Sequence, residues 1–240
     1  MANYNFVRFY RMLAVFVFNV TIPVAWTQAT PFQSNRWQMP RKGGATAIVT
    51  GGTKGIGKAI VEELASTLMC RVLTCSRSQS DLTSCLEEWK SNDLKVEGIV
   101  ADVSTKEGRD ALVAKAMELF SIKGGEPSLD ILVNNVGTNI RKRTIDYTEE
   151  ELQFVWNTNF ASMYELTKLC HPMLKNDAYD TRTEGGSRRT SSVINIGSVA
   201  GVTCVKSGTP YAATKAAMNQ ITGNLGSYPL KLFHRTLESI

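Results

Sequence analysis

From Ala45 onward the chain alternates between short apolar runs and apolar positions at helical spacing. Ala45–Val49 is an apolar-rich run closed by glycines, which predicts a buried strand. Ile56, Ile60, Leu64 and Leu68 recur every four residues, so a helix follows to about Leu68. Arg71–Cys75 reads as a second strand, and Leu82, Leu86 and Trp89 as the stripe of a second helix. Val96–Val100 is a third strand, stopped before Asp102, with Leu112, Met117 and Phe120 lining the next helix. Leu129–Val133 is a fourth strand. Glu149 to Leu174 is a long helical stretch with room for an interruption, Ser192–Ile196 a fifth strand, and Pro210 to Leu225 a last helix. Strands alternating with helices of this length predict an α/β fold: a Rossmann-like, doubly wound parallel sheet with helices on both faces. Ligands of such sheets sit at the carboxyl ends of the strands. The polar, glycine-containing segment Lys175–Arg189 reads as a surface loop.

Charge changes the picture only at the start of the chain. The chain has 27 basic and 22 acidic residues, a net charge of +5. No acid precedes Glu62, whereas Arg8, Arg11, Arg36, Arg41 and Lys42 lie within residues 1–42. The body is therefore neutral, which gives no case for nucleic acid as a partner. Residues 12–26 form a broken apolar run after two arginines, shorter than the ~20 residues a bilayer span needs. A basic, acid-free stretch follows at 30–44. This order of a signal-like part and a transit-like part resembles the bipartite leader of proteins sent to complex plastids. An endoplasmic-reticulum signal or a membrane-associated tail are the alternatives. Five cysteines with no metal-ligand spacing read as buried free thiols, and no metal site is expected.

Candidate chemistry begins in the first turn, Thr50-Gly51-Gly52-Thr53-Lys54-Gly55-Ile56-Gly57. A glycine-rich turn between strand and helix lets backbone N–H groups and the helix dipole meet a pyrophosphate. The second strand ends at Ser76-Arg77, where a dinucleotide site selective for NAD usually has an acid. A hydroxyl and a guanidinium there, with Lys54 in the turn, suit a ribose 2′-phosphate, hence NADP(H). Asp102-Val103 closes the third strand. Asp102 suits either an adenine amino group or a turn or helix-cap role. Asn135, Val136 and Gly137 follow the fourth strand, beside the cofactor position or in an ordinary turn.

Tyr211 and Lys215 are four residues apart on a helix, with Ser198 just beyond the fifth strand. A neighbouring ammonium favours the phenolate of a tyrosine, whose ordinary pKa near 10 makes it a weak acid–base group. A serine hydroxyl can hold a carbonyl oxygen against that phenol.

These motifs together resemble the short-chain dehydrogenase/reductases, and their tropinone-reductase-like branch in particular. The stretches TGGTKGIGKAIVEELA, TCSRS, NNVGTNIRK, TNFASMYELTKLCHPMLK and YAATKAAMNQIT carry the resemblance, over about Arg36 to Leu225. It implies Ser198, Tyr211 and Lys215 as the catalytic triad, with Asn159 as a fourth member positioning a helix carbonyl and a water. It implies a small-molecule carbonyl or alcohol substrate and a homo-oligomer. A 3-oxoacyl-carrier-protein reductase shares these motifs, and a non-catalytic cofactor-binding or dimer-partner fragment is the alternative from another class. Val136 replaces the family's usual Ala, and His171 reads as structural.

The division expected is a leader at 1–42, the NADP-binding domain at 43–226 and an atypical tail at 227–240. The family's pattern continues past Leu225 with further strands, so the C-terminal strands are expected to be missing. That leaves Ser192–Ile196 on an open, apolar edge and the isolated chain unstable or inactive.

Overall fold

The computed structural model describes residues 44–121, 126–174, 179–180, 187–188, 191–227 and 236–237. In chain order they form β1 (Thr46–Thr50), α1 (Gly55–Ser66), β2 (Arg71–Ser76), α2 (Gln79–Ser91), β3 (Val96–Val100), α3 (Lys106–Phe120) and β4 (Ile131–Asn134). Then come α4 (Glu149–Trp156), a π-helical turn (Asn157–Ala161), α5 (Ser162–Leu174), β5 (Tyr179–Asp180), β6 (Ser187–Arg188), β7 (Ser192–Asn195), α6 (Thr209–Ser227) and β8 (Thr236–Leu237). The main sheet runs β3-β2-β1-β4-β7-β8, each neighbour parallel. This is the doubly wound α/β fold expected. The strand order reverses between β1 and β4, which opens a crevice at their carboxyl ends.

Alternation along the strands sorts the core into two faces. Ile48, Leu73, Leu132 and Val193 are in register and pack with α3 and α5 through Leu112, Phe120 and Leu166. Val49, Val72 and Val133 point the other way, against Ile60, Leu64 and Trp89 of α1 and α2. Helix starts follow their capping residues. Ser78 caps α2 by accepting from Asp81 N, and Thr105 caps α3 by accepting from Gly108 N. Thr148 and Glu151 form a capping box on α4. The interruption in the long helical stretch is the π turn at Asn157–Ala161.

Three expectations change. The edge of β7 is not open along its length, because Thr236 and Leu237 pair in parallel with Val193 and Ile194. The tail thus supplies two residues of strand, a pairing between distant segments that apolarity alone does not specify. The loop read at Lys175–Arg189 contains a two-residue antiparallel pair, β5 with β6. Of the thiols, Cys204 is exposed while Cys70, Cys75, Cys85 and Cys170 are buried. The leader at 1–42 and most of the tail at 227–240 lie outside the described residues, as does most of that loop.

Candidate active site

The glycine turn is built by exclusion. A Cβ on Gly52 would lie 2.2 Å from Thr74 Oγ1, and one on Gly57 would lie 2.3 Å from the Gly51 carbonyl oxygen. Gly51 and Gly55 have φ values of +68° and +54°, which L side chains rarely adopt. Thr74 Oγ1 accepts from Gly52 N at 3.0 Å and donates to Val49 O at 2.7 Å. Asn135 Nδ2 donates to Thr50 O at 2.9 Å, and Thr50 Oγ1 accepts from the backbone of both Asn135 and Val136. Asn135 and Val136 thereby clamp the turn to β4. Val136 Cγ2 would lie 3.0 Å from a Cβ on Gly51, so this larger side chain fills the space under the turn. Unlike α2, α3 and α4, helix α1 has no side-chain cap and no acid in its first turn. Its N-terminus, with Ile56 exposed on it, is suited to a phosphate anion.

At the far end of β2, Thr53 Oγ1 donates to Ser76 Oγ at 3.2 Å, joining the turn to the strand. Both cations read from the sequence meet carboxylates there. Lys54 Nζ lies 2.7 Å from Asp81 Oδ2, and Arg77 lies 4.0 Å from Asp102 Oδ2. The Lys54 ammonium, helped by the Ser78 hydroxyl, holds the Asp81 carboxyl below its ordinary range. Asp102 Oδ1 accepts from Ser104 N and Oγ, at 2.9 and 2.7 Å. One carboxylate oxygen of Asp102 thus serves the turn and Thr105 is the helix cap, while the Val103 side chain is buried in the core.

The reacting side of the crevice centres on Asn159, fully buried in the π turn. Its Oδ1 accepts from Thr138 N at 2.7 Å, and its Nδ2 donates to Thr138 O and to Thr214 Oγ1 at 2.9 and 3.1 Å. Asn159 therefore ties the segment after β4 to α6. Lys215 is buried and donates to Ile196 O at 2.5 Å. Burial pushes its pKa down to about 8. Its Nζ lies 5.8 Å from the Tyr211 ring centroid. A Cβ on Gly137 would sit 3.5 Å from that nitrogen, so the glycine keeps the ammonium reachable. Ser198 follows β7, its Oγ accepting from Ala200 N at 3.2 Å. Ser198, Tyr211 and Lys215 line one cleft of about 600 Å³ with Ile56, Asn135 and Gly137.

The sequence reading missed Thr74, Thr138 and Thr214, whose hydroxyls or backbone hold the site from one bond further out. It also missed Arg141 on the cleft wall. The signal available for Arg141 was the Arg141-Lys142-Arg143 run in the segment that follows the fourth strand. Cys75 and Cys170 are not candidate nucleophiles, since burial raises them to about 11 and about 12. Among the described residues no cluster of His, Cys, Asp or Glu could hold a metal, and no helix is long and apolar enough to cross a membrane.

The short chain dehydrogenase family profile matches residues 45–228. A tropinone reductase homolog of Arabidopsis thaliana is 44% identical over 190 residues, covering 79% of this chain and 64% of that protein. Another homolog from the same plant, named as chloroplastic, is 38% identical over 208 residues, covering 86% of this chain and 58% of that protein. The crystal structure of an actinorhodin polyketide ketoreductase with NADPH superposes with a TM-score of 0.66 at 28% identity, over 78% of this chain and 66% of that one. The chain spans less than two thirds of the length of these relatives.

Proposed function

The chain belongs to the short chain dehydrogenase family, and from that premise we propose that it is an NADP(H)-dependent oxidoreductase interconverting a ketone and an alcohol. The observation that carries this reading is one cleft, at the carboxyl ends of β4 and β7, walled by Ser198, Tyr211 and Lys215. The glycine turn and the uncapped start of α1 suit the pyrophosphate. Lys54, Ser76 and Arg77 are the groups for the 2′-phosphate, with Asp102 and Val103 on the adenine side and Asn135 to Gly137 along the nicotinamide half. When bound, NADP(H) supplies or accepts the hydride. In the reductive direction Tyr211 gives its phenolic proton to the carbonyl oxygen, and the Ser198 hydroxyl holds that oxygen in place. Lys215 holds its nitrogen 5.8 Å from the Tyr211 ring centroid, on the wall of the same cleft, where it also suits the nicotinamide ribose. Asn159 keeps the Thr138 backbone and α6 in register with one another, so that Lys215 stays aimed into the cleft.

The test is binding and turnover by the 240-residue chain. A 2′-phosphate adds charge-assisted bonds of about 1.5–3 kcal/mol. It must first displace Asp81 and Asp102 from their exposed ion pairs, which solvent screening keeps weak. NADPH is therefore expected to bind at least about tenfold more tightly than NADH, and Arg77→Ala to remove most of that ratio. Equal affinities in titrations of the two cofactors would rule out the NADP(H) assignment. No consumption of NADPH with any ketone would favour the non-catalytic alternative. A likeness to the crystal structure of a putative betaketoacyl-ACP reductase, with a TM-score of 0.63 at 26% identity, supports a second reading, a 3-oxoacyl-carrier-protein reductase.

The leader supports a plastid destination, as does the chloroplastic homolog with its longer overlap. A full-length fluorescent fusion is expected to reach the plastid. Uniform cytosolic fluorescence would exclude a targeting role for residues 1–42. We place the homo-oligomer contact on the exposed apolar face of α4 and α5, where Leu152, Trp156 and Tyr164 recur at helical spacing.

A further inference from the structure

We propose that Arg141 selects substrates that carry a carboxylate, so that the preferred ligand of this cleft is an oxo acid or the matching hydroxy acid. The inference rests on the reductase reading for its chemistry, but it is carried by the charges on the cleft wall. Among the described residues two cationic side chains line the cleft, Lys215 and Arg141, and no Asp or Glu does. Lys215 is buried and already donates to Ile196 O. Arg141 is exposed.

Arg141 differs from its neighbours in the same run. Lys142 pairs with Glu151 at 2.5 Å, and Arg143 pairs with Asp146 at 2.7 Å. Arg141 alone of the three has no ion pair or hydrogen bond among the described residues, and it alone lines the cleft. Its backbone is fixed on both sides. The Tyr147 hydroxyl donates to Ile140 O and accepts from Lys142 N at 3.4 Å. Gly208 N donates to Lys142 O at 3.3 Å, and the Thr144 and Thr209 hydroxyls meet at 2.7 Å. The segment bearing Arg141 is thus strapped to the start of α6, the turn that carries Tyr211.

A guanidinium presents a rigid fork that matches the two oxygens of a carboxylate. Rooted on the strap that holds Tyr211, it fixes the distance between an anionic group and the proton donor. With no acid among the described residues of the wall, the cleft offers a cationic substrate no charged partner. Pairing at Arg141 then orients the carbonyl toward Tyr211 and Ser198.

Calorimetry on the full chain, with and without NADP+, tests this with levulinate and a longer oxo acid, each against its methyl ester. The acid is expected to bind at least tenfold more tightly than the ester in at least one pair. Arg141→Gln should bring that ratio to about one, and Arg141→Lys should retain part of it. NADPH affinity should be unchanged in both variants. Equal binding of acid and ester by the unaltered chain, or no binding of either, overturns the proposal. So does a preference that survives Arg141→Gln, or a loss of NADPH affinity in that variant, which would assign Arg141 to the cofactor. The acid–ester comparison needs no variant, so a substitution that fails to fold does not remove the test. An acid that binds through Arg141 but is never reduced would refute the reductase reading and leave the carboxylate site standing.

Discussion

Tyr211→Phe is expected to lower the rate of ketone reduction by about 10²–10⁴-fold, the range a positioned proton donor contributes. The ring remains, so its packing near Lys215 and the shape of the cleft are preserved. Only the phenolic O–H is lost. NADPH affinity should therefore stay within about twofold of the parent chain, which separates loss of chemistry from loss of binding. Ser198→Ala should produce a smaller loss of similar kind, because the oxygen still meets the phenol but loses its second donor. The measurement is single-turnover oxidation of NADPH with the cofactor saturating. Substantial turnover by Tyr211→Phe would move the proton donor elsewhere in the cleft. Unchanged rates in both variants would remove the cleft from the reaction altogether.

Most of the architecture was legible because it is local. Buried parallel strands read as short apolar runs, and β1, β2 and β3 lie within a residue of where those runs placed them. The crossover helices announced themselves through their stripes, whereas their caps at Ser78, Thr105 and Thr148 emerged only from the structure. What escaped the sequence was set by partners distant in the chain. The pairing of Thr236–Leu237 with β7 joins segments about forty residues apart, and nothing in either segment names the other. Lys54 and Arg77 were visible as cations, but not the carboxylates facing them, because the pairings with Asp81 and Asp102 join residues about 25 positions apart on separate turns. The π turn was visible only as a possible break. Its reason, the Asn159 amide reaching both Thr138 and Thr214, is a tertiary contact. Arg141 was hidden in a run of three cations, two of which are solvated ion pairs.

The buried ammonium of Lys215 gives the chain a stability that rises with pH. Its pKa falls from the ordinary 10.5 to about 8 because burial penalises the charged form. Below pH 8 the folded chain holds a proton on a desolvated amine, whereas the unfolded chain holds it in water, and the full cost is present. Between pH 8 and 10.5 the unfolded state binds more protons than the folded one, so this contribution to stability increases with pH. Above 10.5 the cost is gone. The shift corresponds to roughly 3 kcal/mol, at about 1.4 kcal/mol per unit. Other groups titrate over the same range, so the comparison is made against Lys215→Met, which keeps a side chain of similar length without the charge. At pH 7 and without cofactor, Lys215→Met should be the more stable chain by about 0.5–2 kcal/mol, once the charge-assisted bond lost to Ile196 O is set against the cost of burial. That is an increase of about 1–8 °C in melting temperature for a chain of this size. The difference should shrink as the pH rises from 8 to 10.5. Thermal unfolding of both chains across that range is the measurement. A gap that stays constant with pH would mean that Lys215 reaches water in the folded state. A variant less stable at pH 7 would mean that its bond to Ile196 outweighs the cost of burial, and with it the claim that this lysine is held in the site at the expense of the fold.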